Sequence, residues 1–328
     1  MKLLLLLAAA VFAVTVIVLL KARAHEAQAE AAFPPEGEFI DVDGIRVHAV
    51  VRGASDAPPL VLIHGSSGNT RDWTLDIVPR LAEHYRVIVF DRPGLGYTQR
   101  APGSGVSGGE TITEQATLLQ KAATMLGADR PIVLGHSYGG AVALAWAVHH
   151  PDGLSALVAV SAASHRWDTG LSTYYKILSH PLLGPLVIPL LTAFVPDTKV
   201  EREVAAVFKP DAVPDGYLAH FGAGLTLRRT SMRANALQRA GLLDEITALM
   251  PRYGDIAIPV EVLHGTADTL VWSAIHSEPL SRAIPGASLT LLPGTGHMPH
   301  HAAPQAIIDA IHRAARRSGL EPKAMRTP

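Results

Sequence analysis

Three polar residues stand where an apolar run gives way to a turn, and together they support one kind of chemistry. Ser137 is the centre of Gly135-His136-Ser137-Tyr138-Gly139, Asp268 ends His264-Gly265-Thr266-Ala267-Asp268, and His297 ends Pro293-Gly294-Thr295-Gly296-His297. A serine hydroxyl is a poor nucleophile at neutral pH and needs a base in contact to take its proton. His297 is the candidate base, and afterwards the acid toward the leaving group. Asp268 is the candidate that fixes the imidazole tautomer and stabilises the imidazolium. The chain order Ser, Asp, His is one of the known solutions to such a triad. Each residue also has a plainer reading. Gly-x-Ser-x-Gly arises by chance, Asp268 would serve as a helix cap, and His297 is one of 16 histidines. Asp244 and Asp255 are alternatives for the acid, but both precede the nearest strand instead of following it. Charge developing on a carbonyl oxygen needs two backbone N–H donors. The expected donors are Tyr138, directly after the nucleophile, and Ser66, in the loop after His64-Gly65. The hydroxyls of Ser66 and Ser67 are either a further donor or ordinary loop groups.

These residues need elements to hold them. Ile132 to Leu134 is a short buried strand, and the small apolar run Ala141 to Ala147 is a helix, so Ser137 lies on a strand–turn–helix elbow. Gly135 and Gly139 flank a strained serine where side chains would clash. Further apolar strands are expected at 59–65, 86–90, 154–160, 259–264 and 288–292. A hairpin turning at Asp43-Gly44 precedes them. Helices fall between: one carries Trp73, Ile77, Val78 and Leu81 on one face. Another opens at Thr111 and Glu114 with capping-box spacing and runs to Met125. This alternation predicts an α/β fold, a mostly parallel sheet with helices on both faces and the site at the carboxyl ends of the strands. Residues 164–249 break the alternation. They include the apolar run Leu182 to Leu191 and the arginines Arg228, Arg229, Arg233 and Arg239, and they read as a helical lid.

Composition narrows the function. The 328-residue chain has a net charge of −1 and no basic block, which speaks against nucleic acid as a partner. It has no cysteine, so disulfides and thiolate catalysis are excluded. Charged residues are 17% and the mean hydropathy is +0.22, both in keeping with membrane association. Leu3 to Leu20 is apolar except for Thr15. As a helix it spans roughly 27 Å, enough for a bilayer core. It reads as an uncleaved single-pass anchor within residues 1–23, with the lipid bilayer as partner through residues 3–20 and the cell membrane as location. Two small-x-small triplets, at 22–24 and 27–29, keep a cleaved export signal as the alternative. Lys21 and Arg23 are too few to assign the membrane face. Residues 24–37 read as a linker, 38–163 and 250–318 as the core, and 319–328 as a tail. No metal site is expected: His300 and His301 read as surface histidines for want of a second ligand cluster. Asp91 and Arg92 read as braces for a loop, and His64 and His136 as fixing local turns. Gly103 to Gly108 has the letters of a dinucleotide loop but follows Pro102 in a loop, so the match is taken as chance.

With these motifs the chain resembles the α/β-hydrolase superfamily, in its serine esterase and lipase-like branch. The resemblance rests on His64-Gly65-Ser66-Ser67-Gly68, Asp91-Arg92-Pro93-Gly94-Leu95-Gly96, Gly135-His136-Ser137-Tyr138-Gly139-Gly140, His264-Gly265-Thr266-Ala267-Asp268 and Gly296-His297, within residues 38–315. It implies an eight-stranded sheet, a helical lid after the sixth strand, no cofactor and an acyl-enzyme on Ser137. Relatives resembling epoxide hydrolases and haloalkane dehalogenases carry Asp at the nucleophile, and Ser137 argues against both activities. The expected substrate is a small carboxylic ester with an apolar acyl or alcohol part. One alternative keeps the triad for a carbon–carbon bond hydrolase or other acyl transfer, with Arg228 or Arg233 holding a carboxylate. Another is a binding protein on the same fold.

Overall fold

The computed structural model describes residues 1–101 and 108–322; the dinucleotide-like run from Gly103 and the end of the tail lie outside the described residues. The chain opens with α1 (Lys2–Ala32), followed by β1 (Glu38–Val42), β2 (Ile45–Arg52) and β3 (Pro59–Ile63). Next come α2 (Arg71–Thr74), α3 (Ile77–Leu81), β4 (Arg86–Phe90), α4 (Ile112–Met125), β5 (Ile132–His136), α5 (Tyr138–His149) and β6 (Ala156–Val160). Six helices then follow without a strand: α6 (Thr173–Ser179), α7 (Leu183–Phe194), α8 (Asp197–Val207), α9 (Tyr217–Phe221), α10 (Ala223–Thr226) and α11 (Arg229–Leu249). The alternation resumes with β7 (Val260–Gly265), α12 (Ser277–Ala283), β8 (Ser288–Leu292), α13 (Pro299–Ala302) and α14 (Pro304–Ser318).

The eight strands form one sheet in the order β1-β2-β4-β3-β5-β6-β7-β8. β1 and β2 form the antiparallel hairpin expected at Asp43-Gly44, β2 lies antiparallel to β4, and every later pairing is parallel. The parallel strands β3 to β7 are buried on both faces, which is why they read as continuous apolar runs, whereas β8 at the edge of the sheet is partly exposed. Alternate side chains divide between two cores. Val61, Ile63 and Val133 face one core with α4 and α5; Leu60, Leu62, Ile132 and Leu134 face the other with Trp73, Ile77, Ile307 and Ile311. The register sets Gly135 beside Ile63, His136 beside Val160 and Gly265 beside Leu292. The polar ends of β3, β5, β7 and β8 therefore come to one edge of the sheet. α4 begins as expected: the Thr111 hydroxyl accepts from Glu114 N, and the Glu114 carboxylate accepts from Thr111 N.

The N-terminal part differs from expectation at residues 24–32, which continue the helix instead of forming a linker. Alanine and glutamate favour helix, and the segment is tied down along its length. Glu26 pairs with Arg229 at 2.7 Å, Glu30 with Arg228 at 3.0 Å, and His25 lies 2.9 Å from Asp197. Burial would raise the Glu26 carboxyl, but its bonds to Arg229 outweigh that and hold it below the usual range. Val18 and Ala22 pack against Ala193 of α7. Arg228 and Arg229 are thus committed to α1. Arg233 donates to the carbonyls of Leu178 and His180.

Candidate active site

Ser137 follows β5 and precedes α5 with φ 54° and ψ −117°. A non-glycine residue pays about 1–3 kcal/mol for such a conformation, so its surroundings must enforce it. They do so through three backbone bonds: Ser137 N donates to Val160 O at 3.0 Å, and Ser137 O accepts from Gly140 N and Ala163 N. The flanking glycines are sterically required. A Cβ on Gly135 would lie 2.2 Å from Gly139 O, and one on Gly139 would lie 2.3 Å from Ile63 O and 2.5 Å from His64 O. That second approach presses the end of β3 onto the elbow and brings the His64–Asn69 loop beside Ser137.

The structure brings the three expected side chains together. Ser137 Oγ is 3.0 Å from His297 Nε2, and His297 Nδ1 is 2.7 Å from Asp268 Oδ2. All three are buried. The loops carrying Asp268 and His297 are stitched to each other, with Thr266 N donating to Leu292 O and Ala267 N to Thr295 O. Asp268 Oδ1 accepts from the backbone N–H groups of Leu270 and Val271, and Oδ2 also faces His264 Nε2 at 3.1 Å. Burial would raise the Asp268 carboxyl, but the hydrogen bonds from His264 and His297 outweigh it and hold it far below the usual range. A permanent carboxylate on Nδ1 makes Nδ1 the protonated ring nitrogen of neutral His297 and leaves Nε2 free to accept from Ser137.

Ser66 and Ser137 line the same cavity, and the Ser66 hydroxyl is buried without a partner among the described residues. Tyr138 is the first residue of α5, where a helix N–H has no intrahelical acceptor. Its ring is buried under the Arg92 guanidinium, 4.1 Å away. Arg92 also donates to Gly65 O at 3.1 Å, and Asp91 accepts from Thr70 N and Tyr97 N, so both brace the loop as expected. His64 accepts from Arg92 N and contacts Gly65 O; burial, then Arg92, lowers it to about 4, so it is neutral. His136 donates through Nε2 to His297 O at 2.8 Å, and burial beside His300 and His297 keeps it neutral.

His300 and His301 depart from expectation. His300 is fully buried, and both rings meet Asp72, at 3.3 and 3.1 Å. Burial lowers His300 to about 4. The same Asp72 carboxylate accepts from Tyr217 Oη at 2.7 Å. Asp72, His136 and His300 place ligand-type atoms within 4.8 Å of one another. Asp72 also bonds Tyr217 and His301, His136 bonds His297 O and His300 bonds Asp72, while Nδ1 of His136 and of His300 is buried without a partner among the described residues. Asn235 of α11 is a further residue the sequence did not single out: its amide accepts from Ser67 N and donates to Ser67 Oγ, at 3.0 and 2.8 Å. Ser67 has φ 55°, so an inserted helix fixes the strained loop that carries Ser66. His264 is another. An i, i+4 His–Asp spacing was its only sequence signal.

The cavity above Ser137 has a volume of about 730 Å³. Its floor is Gly65, Ser66, Ser137 and His297, and its walls come from the inserted helices, with Leu191, Val195, Val204, Leu227 and Met232 among them, and from core loops that supply Leu95, Leu270 and Val271. Lys199 and Glu203 also line it, and both are exposed on α8, so they mark its mouth.

Known proteins share this architecture. Haloalkane dehalogenase 2 of Mycobacterium tuberculosis is 26% identical over 298 residues, 85% of this chain and 94% of its own length. An esterase of Rhodococcus sp. superposes with a TM-score of 0.63 at 25% identity, over 84% of this chain and 96% of that one. A membrane phospholipase A superposes with a TM-score of 0.62 at 21% identity over 97% of each chain, a likeness of fold. The family described as alpha/beta hydrolase fold matches residues 58–304, from β3 through the loop of His297, and this chain belongs to it.

Proposed function

We propose that the protein is a serine hydrolase that cleaves carboxylic esters with an apolar acyl or alcohol part, held at a membrane by α1. The observation that carries the reading is the contact chain from Ser137 Oγ through His297 to Asp268 at the floor of an apolar-walled cavity. His297 Nε2 takes the Ser137 proton as Oγ attacks the ester carbonyl. The oxyanion is received by the N–H groups of Tyr138 and Ser66, with the unpartnered Ser66 hydroxyl beside them. Collapse of the tetrahedral intermediate expels the alcohol, which takes the proton from His297 and leaves an acyl-enzyme. Water, deprotonated by His297, then attacks the acyl carbonyl, releases the acid and returns the proton to Ser137. Helices α6 to α11, within residues 164–249, act as the lid.

The dehalogenase likeness does not carry its reaction across. Attack of a carboxylate on an alkyl halide gives an ester that water opens at its carbonyl, whereas Ser137 would form an ether that water leaves intact. The carbon–carbon hydrolase alternative needs a cation for a carboxylate; Arg228 and Arg233 are both engaged, and Arg239, which lines the cavity with its Nε buried and unpartnered among the described residues, is the residue that alternative would use. Membrane attachment is supported by α1, apolar over Leu3 to Leu20 and exposed there except at Val18, a property anchors share with export signals.

The test is labelling of the full chain with a fluorophosphonate, followed by p-nitrophenyl esters of graded chain length. An adduct on Ser137, lost in Ser137→Ala, with turnover rising toward longer acyl chains, is the expected result. Turnover that survives Ser137→Ala, or folded protein that takes no label, overturns the reading.

A further inference from the structure

The helix α7 has two apolar sides. One faces inward: Leu191 and Val195, at its C-terminal end, line the cavity. The other faces outward. Leu183, Leu186, Leu190 and Phe194 recur at three- and four-residue spacing, and with Leu182 they stand 45–72% exposed. In water such a stripe is unfavourable, since exposed apolar side chains forgo the gain of burial. Contiguous exposed apolar residues mark a surface that meets something.

What it meets is indicated by α1. The apolar run of α1 is exposed over the same kind of surface, and it joins α7 where Val18 and Ala22 pack on Ala193 and Lys21 lies 4.3 Å from the centre of the Phe194 ring. The two exposed apolar surfaces therefore meet at one junction. Charge agrees. Residues 1–25 contain no Asp or Glu, and neither do residues 169–196; the formal charges there are Lys2, Lys21, Arg23 and Lys176, all positive. Lys21 and Arg23 directly follow the apolar run, where basic side chains meet lipid headgroups. The mouth of the cavity lies close by. His25 bonds Asp197 at the start of α8, and Lys199 and Glu203 follow on that helix. At a rise of about 1.5 Å per residue, His25 is only some 8 Å beyond the end of the apolar run.

We propose that the outer stripe of α7 and the apolar run of α1 form one lipid-contacting surface, and that acyl esters of bilayer lipids pass along α7 directly from the membrane into the cavity. The substrate class rests on the ester hydrolase reading above; the lipid contact does not. Lipid tails reach Leu191 and Val195 without crossing water, and the scissile ester, at headgroup depth, comes to the level of the mouth. α7 is then a second point of membrane attachment, distinct from the tether.

Two measurements on the full chain test this. In the first, Leu186→Trp is placed in vesicles of phosphatidylcholine and phosphatidylglycerol, with wild type as the background. Quenching by brominated phosphatidylcholine is expected, and its absence overturns the proposal whatever the enzyme's activity. In the second, Leu186→Glu with Leu190→Glu, both outside the cavity lining, is compared with wild type on two substrates. Fatty-acid release from the vesicles should fall at least about tenfold, the equivalent of ~1.4 kcal/mol, while p-nitrophenyl butyrate turnover stays within about twofold. Unchanged release overturns the proposal, as does release that falls only in step with the short ester. A shift from dimer to monomer with release unchanged would assign the stripe to a second copy of the chain instead. Loss of both activities in Ser137→Ala, with quenching retained, keeps the ester reading and the lipid contact separable.

Discussion

At the scale of single residues, the proposed reaction depends on holding His297 in one tautomer. Asp268 does this with four of its contacts directed at the same carboxylate, from His297, His264, Leu270 N and Val271 N. Asp268→Asn should keep the volume and lower kcat by roughly 10⁴-fold, because an amide has no charge to stabilise the imidazolium; steady-state kinetics on a short ester is the measurement. His264→Phe removes one of the donors that keep Asp268 ionised. The expected loss is about tenfold in kcat at neutral pH, growing as pH falls, since the Asp268 carboxyl rises toward the ordinary range; a kcat–pH profile reads it. In linkage terms, the depressed Asp268 contributes stability above its unfolded pKa of about 4 that is lost as pH falls toward the folded value. Ser137, Asp268 and His297 were legible because each ends an apolar run in a glycine-bearing turn. Asp72, Asn235 and the buried state of His300 and His301 were not, because their partners lie more than 100 positions away. A histidine pair reads as surface until the carboxylate that needs both rings is placed against it.

At the scale of elements, the strands were legible nearly to the residue, since burial on both faces leaves uninterrupted apolar runs. The pairing order was not, because nothing in β2 states that it will lie against β4 and not β3. Helix starts were legible where capping chemistry is local, as at Thr111. Thr111→Ala should cost about 1 kcal/mol by denaturant unfolding. The same end of α4 carries a longer-range feature. Glu245 of α11 accepts from Ile112 N at 2.7 Å, and burial pushes its carboxyl up to about 7. The folded chain thus binds this proton more tightly than the unfolded chain, so Glu245 costs stability as pH rises from about 4.5 to 7. Glu245→Gln keeps an acceptor for Ile112 and removes the titration. Its urea midpoint should change less between pH 5 and 8 than that of wild type, and should exceed it at pH 8 by the equivalent of about 1 kcal/mol.

At the scale of the whole molecule, α1 and the inserted helices behave as one assembly. Residues 24–32 read as a linker by composition because their ion-pair partners, Arg228, Arg229 and Asp197, are far away in sequence and look like ordinary surface charges. Paired, they extend α1 rigidly onto α8, α10 and α11. Arg228→Ala with Arg229→Ala should loosen this junction; cleavage by limited proteolysis between residues 24 and 37 should rise at least about tenfold, with Ser137 labelling retained. The same ion pairs bear on how the enzyme is handled. A shortened form beginning at residue 33, of the kind made to dispense with detergent, would discard Glu26 and Glu30 and leave the buried guanidinium of Arg228 and the partly exposed one of Arg229 without their carboxylates. Arg228 also donates to Gly96 O and lies 5.1 Å from the Tyr97 ring, next to the loop that Asp91 organises. Specificity measured on such a trimmed form would report inserted helices that have lost their support, and would differ from that of the intact chain even for substrates that never approach a membrane.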